Sequence, residues 1–281
     1  MSRLLKHVAL ISESDRVGPG DLMTVAAALQ KQAMRDLAPL WDIGATVAAF
    51  ARIEDMPLDY WPIIIRDNIG YHAAGIHLDK NGQPFSLVKA DDARDTWSVT
   101  CSHEMCEMLV DPFGNRLVAG ASIKPGQGRV NYLVEVCDPS EDAAFAYGVN
   151  GVLVSDFYTP HFFDPSGAPG VRYSYSGAIT SPRTIREGGY ISWVDLATNI
   201  WWQQTWFSGT APAFNEIGKL SSEKSLRSQI DRLTAKETAA AIGSGGTAET
   251  AAARSANAVD GSAKGRADAL RDQIEALIAS A

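Results

Sequence analysis

A chain of 281 residues that is 46% hydrophobic can bury one sizeable core and still leave an appendage. Its formal net charge of −8 argues against non-specific binding to nucleic acid or to an anionic membrane surface. The N-terminal apolar run is short and soon turns charged, and no stretch approaches about 18 uninterrupted apolar residues, so neither a secretory signal nor a membrane span is expected.

In chain order, Val8–Ser12 reads as a short apolar strand. Residues Asp21–Leu37 carry Leu22, Val25, Ala26, Leu29, Ala33 and Leu37 at helical spacing, with Gly20 or Asp21 as the start and Pro39 beyond the end. Trp41–Phe50 and Pro62–Asp67 read as strands. Ala74–Lys89 reads as a hairpin because Asn81-Gly82 is a strong two-residue turn signal. A helix over Asp92–Val110 follows and ends at Asp111-Pro112, since the residue before a proline avoids helical geometry. Val130–Cys137, Gly151–Phe157, Gly170–Thr180 and Gly189–Val194 are strand candidates, heavily punctuated by proline and glycine. Trp193, Trp201, Trp202 and Trp206 crowd the end of this region and read as core or interface.

This order predicts an α/β (α+β) domain over residues 1–215 and a different segment over 216–281. No aromatic residue follows Phe214, and in 216–281 nine Lys/Arg balance nine Asp/Glu, so the acidity belongs to the first domain. Leu226-Arg-Ser-Gln-Ile-Asp-Arg-Leu233 and Leu270-Arg-Asp-Gln-Ile-Glu-Ala-Leu277 both fit L-R-x-Q-I-x-x-L. An Ala/Gly/Ser/Thr-rich stretch with Gly243-Ser-Gly-Gly246 separates them, which suggests two short amphipathic helices on a flexible linker. Neither stripe is wide enough to stabilise a helix alone, so each needs a partner surface: the other helix, the domain, or a second chain in a homo-oligomer.

Chemistry concentrates in Ser102-His-Glu-Met-Cys-Glu-Met-Leu-Val-Asp111, where His103, Glu104 and Glu107 form H-E-x-x-E. Residues i and i+4 share a helix face, so His103 and Glu107 can grip one metal ion. Glu104 is rotated about 100° from His103, toward the place of a metal-activated water. The competing reading is an amphipathic helix that carries solvated charges. A catalytic site needs a third protein ligand. The candidates are Asp111, Glu135, Asp138, Asp156 and His161. Glu135 ranks first and Asp138 second, because carboxylates within the apolar run Tyr132-Leu-Val-Glu-Val-Cys-Asp-Pro139 want a cation or donors; His161 ranks third. Asp111 suits a helix end, and Asp156 suits loop support. Cys101, Cys106 and Cys137 do not form a disulfide framework, which points to a reducing, cytoplasmic setting.

H-E-x-x-E is one substitution from the helix-borne H-E-x-x-H of metallopeptidases. With a strand, a helix, further strands and a hairpin before it, residues 8–111 resemble the N-terminal half of the zincin-like metallopeptidases. The resemblance implies a twisted sheet with a backing helix and a site helix. It makes His103 the first ligand, Glu104 the general base, and Glu107 the replacement for the second ligand histidine. An edge strand within Ala74–Lys89 would hold an extended peptide by main-chain hydrogen bonds. Zinc is the metal the resemblance implies first, but Glu107 adds negative charge and admits manganese, iron, calcium or no metal at all. The set S-H-E-x-x-E-x-x-x-D-P, E-V-C-D and V-S-D-F-x-x-P is also similar to a group of uncharacterised bacterial and phage proteins. Tyr173, Tyr175 and Tyr190 are candidate donors to an oxyanion. The expected function is a metal-dependent hydrolase acting on a peptide or protein. The alternative is a non-catalytic peptide-binding or assembly module on a degenerate zincin scaffold.

Overall fold

The computed structural model describes residues 4–71, 73–221 and 225–242. It opens with β1 (Leu4–Ser12), then α1 (Pro19–Lys31), whose coil widens over Gln32–Leu37 and tightens again in α2 (Ala38–Trp41). Then come β2 (Ile43–Phe50), β3 (Tyr60–Arg66), β4 (Gly75–Lys80), β5 (Gln83–Lys89) and α3 (Arg94–Val110). The second half holds β6 (Leu117–Ala121), β7 (Arg129–Leu133), β8 (Tyr147–Val149), β9 (Val152–Val154), β10 (Tyr190–Asp195), β11 (Ile200–Thr205) and β12 (Ala213–Gly218). It ends in α4 (Leu226–Ile242).

The first sheet has the order β2-β1-β3-β5-β4. Its first four strands are parallel, and β4 returns antiparallel to β5 as the edge strand. The inner strands are buried, so they read as continuous apolar runs: Val8–Ile11 on β1 and Ile63–Ile65 on β3. Between β4 and β5, Asn81 and Gly82 both take positive φ (55° and 77°), the geometry of the tight turn expected from this dipeptide. The second sheet, β12-β11-β10-β7-β6, is antiparallel throughout, and β8-β9 form a separate hairpin. A single core joins the two sheets, from Leu10 and Ile63 through Trp97 and Met105 to Tyr132 and Trp193.

The content is mixed α/β, as expected. The first helix starts two residues before its expected start, with Pro19 in its first turn, and continues past Leu37 to Trp41. The strand expected over Val130–Cys137 stops at Leu133. Beyond it, Val134 N–H bonds to Arg116 O and Val136 O accepts from Tyr158 N–H, both outside the β6-β7 ladder. Gly170–Thr180 forms no strand; the ladder contact described there is an isolated bridge, Tyr158 to Ser174. The expected boundary at 215/216 falls inside β12, so the first unit extends to Gly218. Gly243–Gly246 and the second repeat, Leu270–Leu277, lie outside the described residues. Among the described residues, no helix is long and apolar enough to cross a membrane.

Candidate metal centre

The helix α3 carries the motif, and it is not an amphipathic surface helix. Thirteen of its 17 residues are buried, including His103, Glu104 and Glu107. It packs against β4 and β5 on one side and β9 on another. Two serines let β9 approach: Ser98 Oγ donates to Leu153 O at 2.8 Å, and Ser102 Oγ accepts from Ser155 N–H at 2.6 Å. The edge strand approaches through a glycine, because a Cβ on Gly75 would stand 2.6 Å from Glu104 Oε1. The reading of the motif as solvated charge is thereby excluded, and its carboxylates must be satisfied from within.

Four parts of the chain answer that demand. From α3 come His103, Glu104 and Glu107. From β4 comes His77, whose Nδ1 lies 3.6 Å from Glu104 Oε2 and 3.7 Å from Glu107 Oε2. From the segment after β7 come Glu135, Asp138 and Glu141. From the first two turns of α4 come Arg227 and Asp231. His103 Nε2 sits 3.2 Å from Glu107 Oε2 and 3.3 Å from Asp138 Oδ1. The Cys137 N–H donates to Glu107 Oε1 at 3.2 Å, which fastens the 134–140 segment to α3. On the opposite side of Glu107, Arg227 Nη1 donates to Oε2 at 2.5 Å and also to Glu135 Oε2. Arg227 Nε donates to Asp231 at 3.1 Å.

Electrostatics follow from this crowding. Burial opposes charge on His103, yet Glu107 and Asp138 hold its pKa well above the usual histidine value. Burial likewise opposes ionisation of Glu107, but Arg227 and His103 outweigh it and keep that carboxyl strongly acidic. For Asp138 the balance goes the other way: burial, then the charge of Glu107, push it well above the carboxylate range, and His103 offsets them only in part. Glu141 is pushed up to about 8, chiefly by burial.

Three overlapping donor groups have their ligand atoms within 4.8 Å of one another: His103, Glu107 and Cys137; His77, Glu107 and Glu135; His103, Asp138 and Glu141. These buried groupings could hold a metal ion. The test of fit is what remains unsatisfied. Both oxygens of Asp138, Glu135 Oε1, Glu104 Oε2, Glu141 Oε1 and His77 Nδ1 are buried without a hydrogen-bond partner among the described residues. Such atoms are costly to leave unpaired. Six carboxylates (Glu104, Glu107, Glu135, Asp138, Glu141 and Asp231) surround one arginine and two histidines, so negative charge is in excess even with both rings protonated. Proton uptake by Asp138 and Glu141 relieves that excess; so does a divalent cation. Arg227 bonds to Glu135 and to the same Glu107 Oε2 that faces His103, and its Nη1 stands 3.9 Å from Asp138 Oδ2.

Of the residues singled out from sequence, His103, Glu104, Glu107, Glu135 and Asp138 come together. Glu135, ranked first as third ligand, turns to Arg227, whereas Asp138 meets His103. His161 stays at the surface with Asp164, 2.9 Å away. Asp111 ends α3 and accepts from the backbone N–H groups of Asn115 and Arg116. Asp156 accepts from Ser140 Oγ and Ser176 N–H, the supporting role expected. Tyr173 accepts from Ala168 N–H and Tyr175 donates to Asp36, whereas Tyr190 is buried beside Asp138. The tryptophans Trp193 and Trp201 are core residues.

Sequence reading missed His77, Glu141, Tyr158, Arg227 and Asp231. The Tyr158 hydroxyl is buried without a hydrogen-bond partner among the described residues. A signal for His77 existed, since it is the one histidine in the hairpin strands and its neighbours Ile76 and Leu78 are apolar. Arg227 was visible only as part of the repeat. Comparison of the chain with family models, with curated proteins and with solved structures gave no match.

Proposed function

We propose that the chain is a metal-dependent hydrolase, with a divalent cation held by His103, Glu107 and Asp138 and with Glu141 at its margin. The observation that carries this reading is the convergence of His103 Nε2 on Glu107 Oε2 (3.2 Å) and Asp138 Oδ1 (3.3 Å), where both Asp138 oxygens have no hydrogen bond among the described residues. A divalent cation bound there supplies a Lewis acid and a more acidic water. Glu104 is the proton acceptor: its Oε2 is unpartnered, buried and 3.6 Å from His77 Nδ1. His77 steadies that carboxylate, and its own Nε2 is 3.2 Å from Asp111 O. Tyr158 and Tyr190, both buried, are the candidate hydroxyls to donate to an oxyanion. As the edge strand of its sheet, β4 suits an extended peptide as substrate, by strand addition, in keeping with the zincin resemblance. Zinc is the metal that resemblance implies. A cytoplasmic setting fits the three free, buried cysteines.

One observation favours a second reading. Arg227 supplies a protein cation to Glu107 and Glu135, and the side chains of the cluster are nearly all out of reach of solvent. A non-catalytic binding or assembly module would keep the scaffold and use Arg227 as its permanent counter-ion. Zinc, manganese and calcium titrations of the full chain, followed by hydrolysis of a peptide library with Glu104→Gln as control, separate the two. A metal-dependent turnover that Glu104→Gln abolishes supports the hydrolase. A chain that takes up no metal supports the module.

A further inference from the structure

The side chains that seat α4 on the domain are few and spaced in a definite way. Arg227 enters the carboxylate cluster and is 5% exposed. Ile230 is buried against Leu133, Val194 and Trp201, three positions later. Asp231 pairs with Arg227 from the next turn. Gln229 exchanges two hydrogen bonds with the Ser221 backbone, at 2.8 and 2.9 Å. The seat itself is shaped for a helix start. Gly114 O accepts from Arg227 N–H at 3.1 Å, and a Cβ on Gly114 would stand 2.5 Å from Arg227 Cβ.

The second repeat carries the same four side-chain types at the same spacing: Arg271, Gln273, Ile274 and Glu275. Where the two copies differ in kind, the first copy does not use the position to dock: Ser228 against Asp272 is half-buried, and Arg232 against Ala276 is exposed. Leu233 also recurs, as Leu277, but it projects outward at 57% exposure and lies outside the seat. Of the positions that make the contact, Leu226, Arg227, Gln229 and Ile230 recur identically, and Asp231 recurs as Glu275.

We infer that the groove formed by Gly114, Glu107, Glu135 and the Leu133–Val194–Trp201 patch is a receptor for helices of the form R-x-Q-I-[D/E], and that residues 270–277 of the same chain are its second occupant, exchanging with 226–233. The charge matches, because Arg271 brings the cation that the carboxylates require. The reach matches as well. Residues 243–269 are 27 in number, and the contour length of that many residues exceeds the roughly 25 Å length of α4. A tethered occupant acts at about millimolar effective concentration, which favours the same chain over a second copy. This inference does not rest on the hydrolase reading.

Melting temperatures of four full-length chains test it: wild type, Arg227→Ala, Arg271→Ala and the double variant. Arg271→Ala alone should leave the melting temperature unchanged, because the first copy is seated. In the Arg227→Ala background it should lower it by roughly 5 °C or more, as the carboxylates then lose their last arginine. An effect of Arg271→Ala that is absent in both backgrounds would overturn the inference. So would an Arg227→Ala chain that does not fold, since the second copy should then have substituted. A cysteine pair locates the occupant: Val194→Cys with Ile274→Cys, in the Arg227→Ala chain, should oxidise to an intrachain disulfide. The reference is Val194→Cys with Ile230→Cys in the otherwise wild-type chain. No crosslink at Ile274→Cys, or a crosslink only between chains, would contradict occupancy in cis.

Discussion

Arg227 and Glu107 stand 120 residues apart in the chain and meet at 2.5 Å in its interior, where the guanidinium also bonds to Glu135. This contact ties the C-terminal helix to the motif helix and sets the charge of the whole cluster. Breaking a buried pair on one side leaves an uncompensated charge, at a cost of about 3–5 kcal/mol. Arg227 therefore bonds directly to Glu107 and Glu135, whereas burial holds Asp138 and Glu141 above the carboxylate range, where a proton or a metal relieves them.

Loss of the imidazole should remove the metal. His103→Ala is expected to abolish binding of zinc or manganese, and Asp138→Asn to weaken it by at least about 10–100-fold, the effect typical of lost ligand support. Isothermal titration calorimetry reads both. Unchanged affinity in Asp138→Asn would place the cation elsewhere in the cluster, with Glu135 and His77.

Glu104→Gln separates binding from proton transfer. The variant should keep its metal and lower turnover by roughly 10²–10⁴-fold, the range of general acid–base catalysis. A variant that loses metal instead would make Glu104 a ligand.

The raised pKa of Glu141 has a defined sign. Burial lifts it from 4.5 to about 8, so the folded chain holds this proton more tightly than the unfolded chain does. Its contribution to stability is full below about pH 4.5 and is lost as pH rises through about 8. Glu141→Gln, which cannot ionise, should match the metal-free wild type at low pH and become the more stable of the two as pH climbs toward 8. Metal should erase the difference by displacing the proton, so zinc addition to the unbuffered wild type should release acid. Parallel pH dependence of the two chains would contradict this account.

Gly114→Ala should loosen the seat of α4. The residue has φ 59°, a left-handed geometry that costs a side chain about 1 kcal/mol or more, and the added Cβ would meet Arg227 Cβ. Hydrogen exchange at the Arg227 amide, which donates to Gly114 O, should speed up while exchange in β1 stays slow. Equal protection of both would show that the helix is seated by other contacts.

Much of this was legible in the sequence, and the failures have physical causes. The hairpin was legible because Asn81-Gly82 demands two positive φ values, and α3 because its length and its Asp111-Pro112 stop are local properties. His103, Glu104 and Glu107 were legible because a helix fixes their mutual placement. Glu135 and Asp138 stood out as carboxylates in an apolar run, but which of them faces His103 depends on where the chain leaves β7, a tertiary matter. His77 reaches the site only because β4 lies at the sheet edge beside α3, and Arg227 only because α4 docks on the domain. The apolar neighbours of His77 and the repeat around Arg227 marked both residues, but no local pattern placed either one in the site.

The central claim is that the cluster around His103, Glu107 and Asp138 holds a divalent cation. Elemental analysis of the full-length chain, purified without chelator and dialysed against micromolar zinc and manganese, tests it most directly. About one divalent ion per wild-type chain, and none in His103→Ala, is the predicted result. A wild-type chain that retains no ion under these conditions would contradict the account and leave Arg227 as the permanent cation of the site.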